Sequence, residues 1–314
     1  MSEGVTSPPS LVVLRSKQGR ESTTLLFRVV NLCGVVIPFA GLIVAIALLW
    51  GIAFDWVHLA ILGGMYLITG LGITIGYHRL FTHRSFKTPR VVAALLAIMG
   101  SMAVEGPLLQ WVAVHRSHHQ HSDKDDDPHS PHSHGNSFWG MVRGMWHAHM
   151  GWLFRTQSLD MQKYTRDLRR DRIIVVMSHL FPLWVVLGMV IPAALGGLLT
   201  LTWTGVLLGF LWGGLVRILF VHHVTWSVNS VCHIWGTRPY ECHDESRNNA
   251  VFGVLALGEG WHNNHHAFPT SARHGLRWWQ VDVSYGVIWL MSKVGLASEV
   301  RIPTRRRMQE KRAR

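Results

Sequence analysis

A chain of 314 residues with 48% hydrophobic side chains holds enough apolar material for a large core or several membrane crossings, and its hydrophobicity falls in blocks, which selects crossings. The formal net charge of +12 could serve nucleic acid, anionic lipid or membrane orientation; because the basic residues flank the apolar blocks, orientation accounts for it and no nucleic-acid partner is expected. The three cysteines, Cys33, Cys232 and Cys242, have no paired spacing, which argues against a disulfide framework or a thiolate metal site.

Residues 1–28 form a polar, basic arm without the features of a secretory signal, so insertion is expected to use the first apolar block. From Val29 to Trp50 and from Trp56 to Tyr77 the chain is nearly free of charge. At about 1.5 Å per residue, each stretch crosses a hydrocarbon core of roughly 30 Å. The short connection carries only Asp55, whereas Arg15, Lys17, Arg20 and Arg28 precede the pair and Arg79, Arg84, Lys87 and Arg90 follow it, which places both outer flanks in the cytoplasm. A second pair of spans runs over 182–202 and 205–228, so both termini are predicted to be cytoplasmic. Between the pairs, Val91 to Val114 is apolar but interrupted by Glu105, Gly106 and Pro107. A crossing there would put the histidines of the two halves on opposite sides, so the stretch is read as a helix in the cytoplasmic interface. The Asp- and His-rich stretch from His121 to Asn136 reads as a cytosolic loop, and the Arg-rich segment 154–173 and the basic tail 301–314 are assigned to solvent and lipid headgroups. The predicted fold is an all-α membrane protein in which four transmembrane helices carry a cytoplasmic helical cap with a di-metal site, in one domain over 29–300.

Of 21 histidines, eight have informative spacing. His115, His118 and His119 stand at i, i+3 and i+4, and His262, His265 and His266 repeat the pattern, so each trio projects from one side of a helix and is able to hold a metal ion. His78 and His83 bracket the cytoplasmic end of the second span, where a helix ending in a loop can turn both toward a common centre. A single histidine is usually a satisfied polar residue, but three clusters on one side of the membrane point to a shared site. Eight imidazoles exceed the needs of one metal, so two ions are inferred; imidazole suits iron, zinc and copper alike.

The segments His-Arg-Leu-Phe-Thr-His (78–83), His-Arg-Ser-His-His (115–119) and Gly-Glu-Gly-Trp-His-Asn-Asn-His-His (258–266) resemble the three histidine boxes of the membrane fatty acyl desaturases, in the branch acting at the ninth carbon. The resemblance runs from about Tyr66 to Pro269. Asn229, Ser230 and His233 match the family pattern Asn-Ser-x-x-His, which implies His233 as a ninth metal ligand and Asn229 as one acting through water. The resemblance further implies two iron ions cycling between Fe2+ and Fe3+, O2 as co-substrate, and a cis double bond placed at the delta-9 position of a long saturated acyl chain carried as acyl-CoA or acyl lipid. With no cytochrome domain after Arg314, electrons are expected from a separate ferredoxin or cytochrome b5 served by an NAD(P)H reductase.

By the same resemblance Thr225 and Trp226 bend the acyl tunnel, Trp111 lines it and Tyr66 closes its far end. Asp127-Pro-His matches a family tripeptide that orients a ligand, while Asp123, Asp125 and Asp126 read as a solvated run. His222 and His223 fall outside the family pattern, His121, His129, His132 and His134 lie in the predicted loop, and Arg217 lies inside the last span without a catalytic role. The chain departs from the family in carrying Glu105 where a glutamine is expected, and in lacking a basic stretch directly after His149-Met-Gly-Trp. A bacterial cytoplasmic membrane is favoured over the endoplasmic reticulum. One competing reading is a membrane di-iron hydroxylase of alkyl or lipid chains, against which Asn-Ser-x-x-His and Thr225-Trp226 argue. The other is a metal transporter, which needs ligands near the bilayer midplane.

Overall fold

A computed structural model describes residues 25–51, 56–135, 137–155 and 159–313; most of the predicted N-terminal arm lies outside the described residues. Among these residues the protein is all-helical, with four helices long and apolar enough to cross a membrane: Leu25–Leu48, Trp56–Thr82, Phe181–Thr200 and Trp203–His233. The isolated bridges, such as Lys87 to Ser298, join loops without building a strand.

The second and fourth helices run past the ends expected from their apolar blocks. Apolarity marks only the part in contact with lipid, whereas hydrogen bonding continues the helix into the polar cap. The second helix changes character as it does so: Gly72–Thr82 is π-helical, and the wide winding ends with His83 N–H donating to the His78 carbonyl at 3.1 Å. In a π-turn, residues five apart lie one above the other. That winding, and not a loop after the helix, places the His78 and His83 rings 4.8 Å apart. Arg79 also departs from expectation. It is fully buried rather than a free flanking charge, pairing with Glu259 at 3.1 Å and Asp282 at 2.9 Å and so tying the second span to the C-terminal cap.

The stretch predicted as one interfacial helix is two, Arg90–Ser101 and Leu108–His121, separated by a turn at 102–107. The first packs closely on the second span because both surfaces are glycine there: a Cβ at Gly72 would meet the Gly100 backbone nitrogen at 2.2 Å, and one at Gly100 would meet the Tyr77 ring at 2.6 Å. Tyr77 fills the space so made, inside a core with Ile73, Phe81, Leu108 and Val112.

The cap is completed by Phe138–His149, Arg172–His179, His262–Ala267 and Val283–Lys293. The tail expected in solvent folds onto this cap. Ala272 N–H donates to Arg301 O and Glu241 N–H to Lys311 O, while Lys311 Nζ donates to Ala267 O at 2.8 Å, directly after the last histidine trio.

Gly72→Ala should therefore destabilise the protein by about 1–3 kcal/mol, since the added methyl meets backbone that cannot turn aside. Gly63→Ala, where nothing lies within 4 Å, should be neutral. Thermal unfolding in detergent micelles compares the two.

Candidate metal centre

The eight histidines singled out by spacing and the ninth implied by resemblance fall into two groups. His78, His83, His115, His119 and His265 form one; His118, His233, His262 and His266 form the other, with ligand atoms in each group all within 4.8 Å of one another. Each helical trio is therefore split between the groups rather than sharing one ion. Successive residues of an α-helix diverge by about 100°, so His118 and His119 cannot point at the same centre although both lie near His115. The groups adjoin, with the His119 and His266 rings stacked 4.4 Å apart.

The nitrogens facing inward test whether cations fit. His78 Nε2 lies 3.1 Å from His265 Nε2, which lies 2.9 Å from His119 Nε2, and His119 Nε2 lies 3.1 Å from His115 Nε2. In the other group His233 Nε2 and His262 Nε2 are 3.0 Å apart, and the Nε2 atoms of His118 and His266 are buried with no hydrogen-bond partner. Three of these rings have their tautomer fixed from behind. A carboxylate only accepts, so Nδ1 of each carries the proton: His118 donates to Asp127 at 2.9 Å, His233 to Asp123 at 2.9 Å and His266 to Asp244 at 2.7 Å. His78 Nδ1 lies 2.7 Å from Glu259. The Nε2 atoms of these rings are then turned toward the centre of each group; those of His118 and His266 meet no donor there, and a cation would satisfy them. The residues fit two metal ions.

Burial alone would raise these carboxyls, but the facing histidines override it and hold Asp127 and Asp244 well below the usual carboxylate range. The opposite holds for the rings: burial, followed by the repulsion of neighbouring imidazoles, keeps His119, His262 and His265 well below the usual histidine range and hence neutral, the state that binds metal.

Sequence reasoning anticipated Asp127 but misjudged Asp123. It was read as part of a solvated run, yet its side chain is 7% exposed and accepts from His233 and from the Glu245 backbone. A left-handed turn at Asp123 itself, φ 60°, folds the loop inward, whereas the Asp126 side chain stays 84% exposed. Asp244, Glu259 and His274 were missed as supporting groups. Glu259 lies in the third box, which was the available signal; Asp244 stands 22 residues from His266 with no spacing to reveal it. His274 Nδ1 lies 3.1 Å from Glu259 and its ring 4.5 Å from His265.

Of the residues assigned to the tunnel by resemblance, Trp111 touches this centre. Trp111 stacks on His115 with centroids 4.9 Å apart and an interplanar angle of 16°, and its Nε1 donates to Glu105 at 3.0 Å. Trp226 is buried against His222 at 4.8 Å between centroids. Thr225 lies near Glu105, whose carboxyl burial pushes up to about 7. Tyr66 donates to Leu255 O at 2.7 Å, and its ring packs on the core around Ile73 and Tyr77. Asn229 is half-buried in the last turns of the fourth span, four residues before His233.

The sequence pattern of the family described as fatty acid desaturase matches residues 54–288. The chain belongs to that family. It is 43% identical over 279 residues, 88% of this chain and 87% of the relative, to hex-5-enoyl-[acyl-carrier protein] acetylenase of Moorena producens. It is 40% identical over 253 residues, 79% of this chain and 86% of the relative, to sn-1 stearoyl-lipid 9-desaturase of Anabaena variabilis. A chloroplastic palmitoyl-monogalactosyldiacylglycerol delta-7 desaturase of Arabidopsis thaliana is 37% identical over 278 residues, 84% of this chain and 67% of the relative. This desaturase is thus an oxidoreductase of fatty acyl chains in a membrane, from a family that is generally di-iron dependent and draws on an electron donor.

Asp127→Asn and Asp244→Asn should each weaken iron binding by about 10–100-fold, because the charged acceptor that orients the ring at Nδ1 is replaced by a weaker, neutral amide. Asp126→Asn should bind as the wild type does. Iron per chain after titration with a chelator measures the difference.

Proposed function

We propose that this desaturase introduces a cis double bond at the delta-9 position of a long saturated acyl chain, carried on CoA or on a lipid. O2 is the co-substrate and a di-iron centre the cofactor. The observation that carries this reading is the division of the nine histidines into groups of five and four whose inward nitrogens have no partner but each other. Those nine, with Asn229 acting through water, would hold the irons. Bound there, the irons supply the oxidising power that acid–base groups lack toward an unactivated C–H bond.

The chain's own residues do the rest. Trp111, Thr225 and Trp226 line and bend the acyl path beside the centre, so two adjacent methylenes are held near it and water is kept away. Tyr66 closes the far end of that path. The carboxylates behind Nδ1 keep the imidazoles aimed. Two electrons come from a separate ferredoxin or cytochrome b5 with its NAD(P)H reductase, and the exposed arginines Arg305, Arg306 and Arg307 suit an acidic carrier. The catalytic unit is the domain over 29–300, with both termini on the cytoplasmic side of a bacterial membrane; the basic flanks and the clustering of all nine histidines at one end of the spans support that orientation.

The relatives named for the seventh and ninth carbons and for an acetylenase make the product the deciding measurement. Expression in a host without its own desaturase should yield acids unsaturated at the delta-9 position, located by mass spectrometry, and His118→Ala or His265→Ala should abolish them. An alcohol product would establish a hydroxylase instead, and a triple bond or a double bond elsewhere would remove the delta-9 assignment.

Tyr66→Ala should shift preference toward longer acyl chains while leaving the double bond at the same distance from the carboxyl end, each methylene admitted being worth roughly 0.8 kcal/mol. Competition between substrates of different length reads this. An unchanged length profile would return Tyr66 to a packing role.

A further inference from the structure

Two polar residues of the fourth span, Arg217 and His222, take no part in the reading above. Arg217 is fully buried, and its guanidinium is solvated by backbone: Nη1 donates to Met102 O at 2.6 Å, Nη2 to Gly188 O at 2.9 Å and Nε to Gly213 O at 3.1 Å. His222 Nε2 lies 3.0 Å from Ala103 O and 3.1 Å from Val104 O, so Nε2 carries the proton and donates. The carbonyls of three consecutive residues are thereby taken by the fourth span. They need it, because the Arg90–Ser101 helix ends there and terminal carbonyls in an apolar setting must find donors.

The turn so held is strained. Val104, a β-branched residue, has φ 65°, and Gly106 follows at φ 103°. Such a conformation persists only where its surroundings enforce it. Between the two stands Glu105, whose Oε2 accepts from Trp111 Nε1, and Trp111 in turn stacks on His115.

We propose that Arg217 and His222 are positioning residues that hold the Met102–Gly106 turn, and through Glu105 hold Trp111, so that the acyl chain meets the metal centre at a single pair of carbons. This rests on the reading of Trp111 and Thr225 as walls of the acyl path. A purely structural role would lower yield or iron content and leave the product unchanged; a positioning role changes where the double bond falls.

The test compares His222→Leu, His222→Gln, Arg217→Met and Thr225→Ala in the full-length protein, with iron per chain and the positional isomers of the product both measured. His222→Leu and Arg217→Met should keep their iron while the minor isomers rise about tenfold relative to the wild type, a loss of about 1.4 kcal/mol of discrimination. His222→Gln, which still donates, should restore the single isomer. If Thr225→Ala moves the double bond while His222→Leu and Arg217→Met, with normal iron, leave it in place, the positioning role is overturned and the acyl path stands. If none of them moves it, the path itself is misassigned and the inference falls with it. Should Arg217→Met fail to accumulate, the His222 pair alone decides.

Discussion

The rest of the structure depends on one electrostatic constraint: a crowd of buried imidazoles, several with Nδ1 committed to a carboxylate, turns its Nε2 atoms toward two shared centres. Rings packed this closely repel one another when charged, and the fold must hold them together in advance. Carboxylates impose the aim by accepting from His118, His233 and His266, and a fourth, Glu259, lies close behind His78. They come from places far apart in the chain, and most of the cap's loop structure follows from delivering them. The 121–135 loop turns inward to bring Asp123 and Asp127. The 240–248 segment brings Asp244, steadied by the Ser246 hydroxyl and backbone N–H.

Burying that much charge requires compensation, and Arg79 provides it on one side. It pairs with both Glu259 and Asp282 and also donates to Ala272 O at 2.8 Å, so a residue of the second span neutralises the acid that orients His78 and fixes the cap that carries His265. Removing one partner of such a buried network costs several kcal/mol, because an unpaired charge remains. The joint between membrane and cap is thus also the joint between the first and third histidine boxes.

The π-helical winding of Gly72–Thr82 belongs to the same problem. An α-helix would separate His78 and His83 by a large rotation; the wider turn aligns them. Close packing of Gly72 on Gly100 and the burial of Tyr77 hold that winding in place.

Much of this was determined by the sequence alone. The four spans follow from charge-free blocks longer than the bilayer core, and two of the three histidine boxes stand out by a repeated i, i+3, i+4 spacing. The excess of imidazoles over what one metal needs was legible too. What only the tertiary structure decided was the partition. The residues of each trio diverge around the helix, so His118 leaves its neighbours for His233, His262 and His266, and no local pattern reveals that choice. Asp123 and Asp244 were hidden for the same reason: an acid in a loop is a solvated charge by default, and only the backbone turn that carries it inward makes it a partner for a ring 110 or 22 residues away. Periodicity encodes which way a side chain leaves its helix; it does not encode what the rest of the chain brings to meet it.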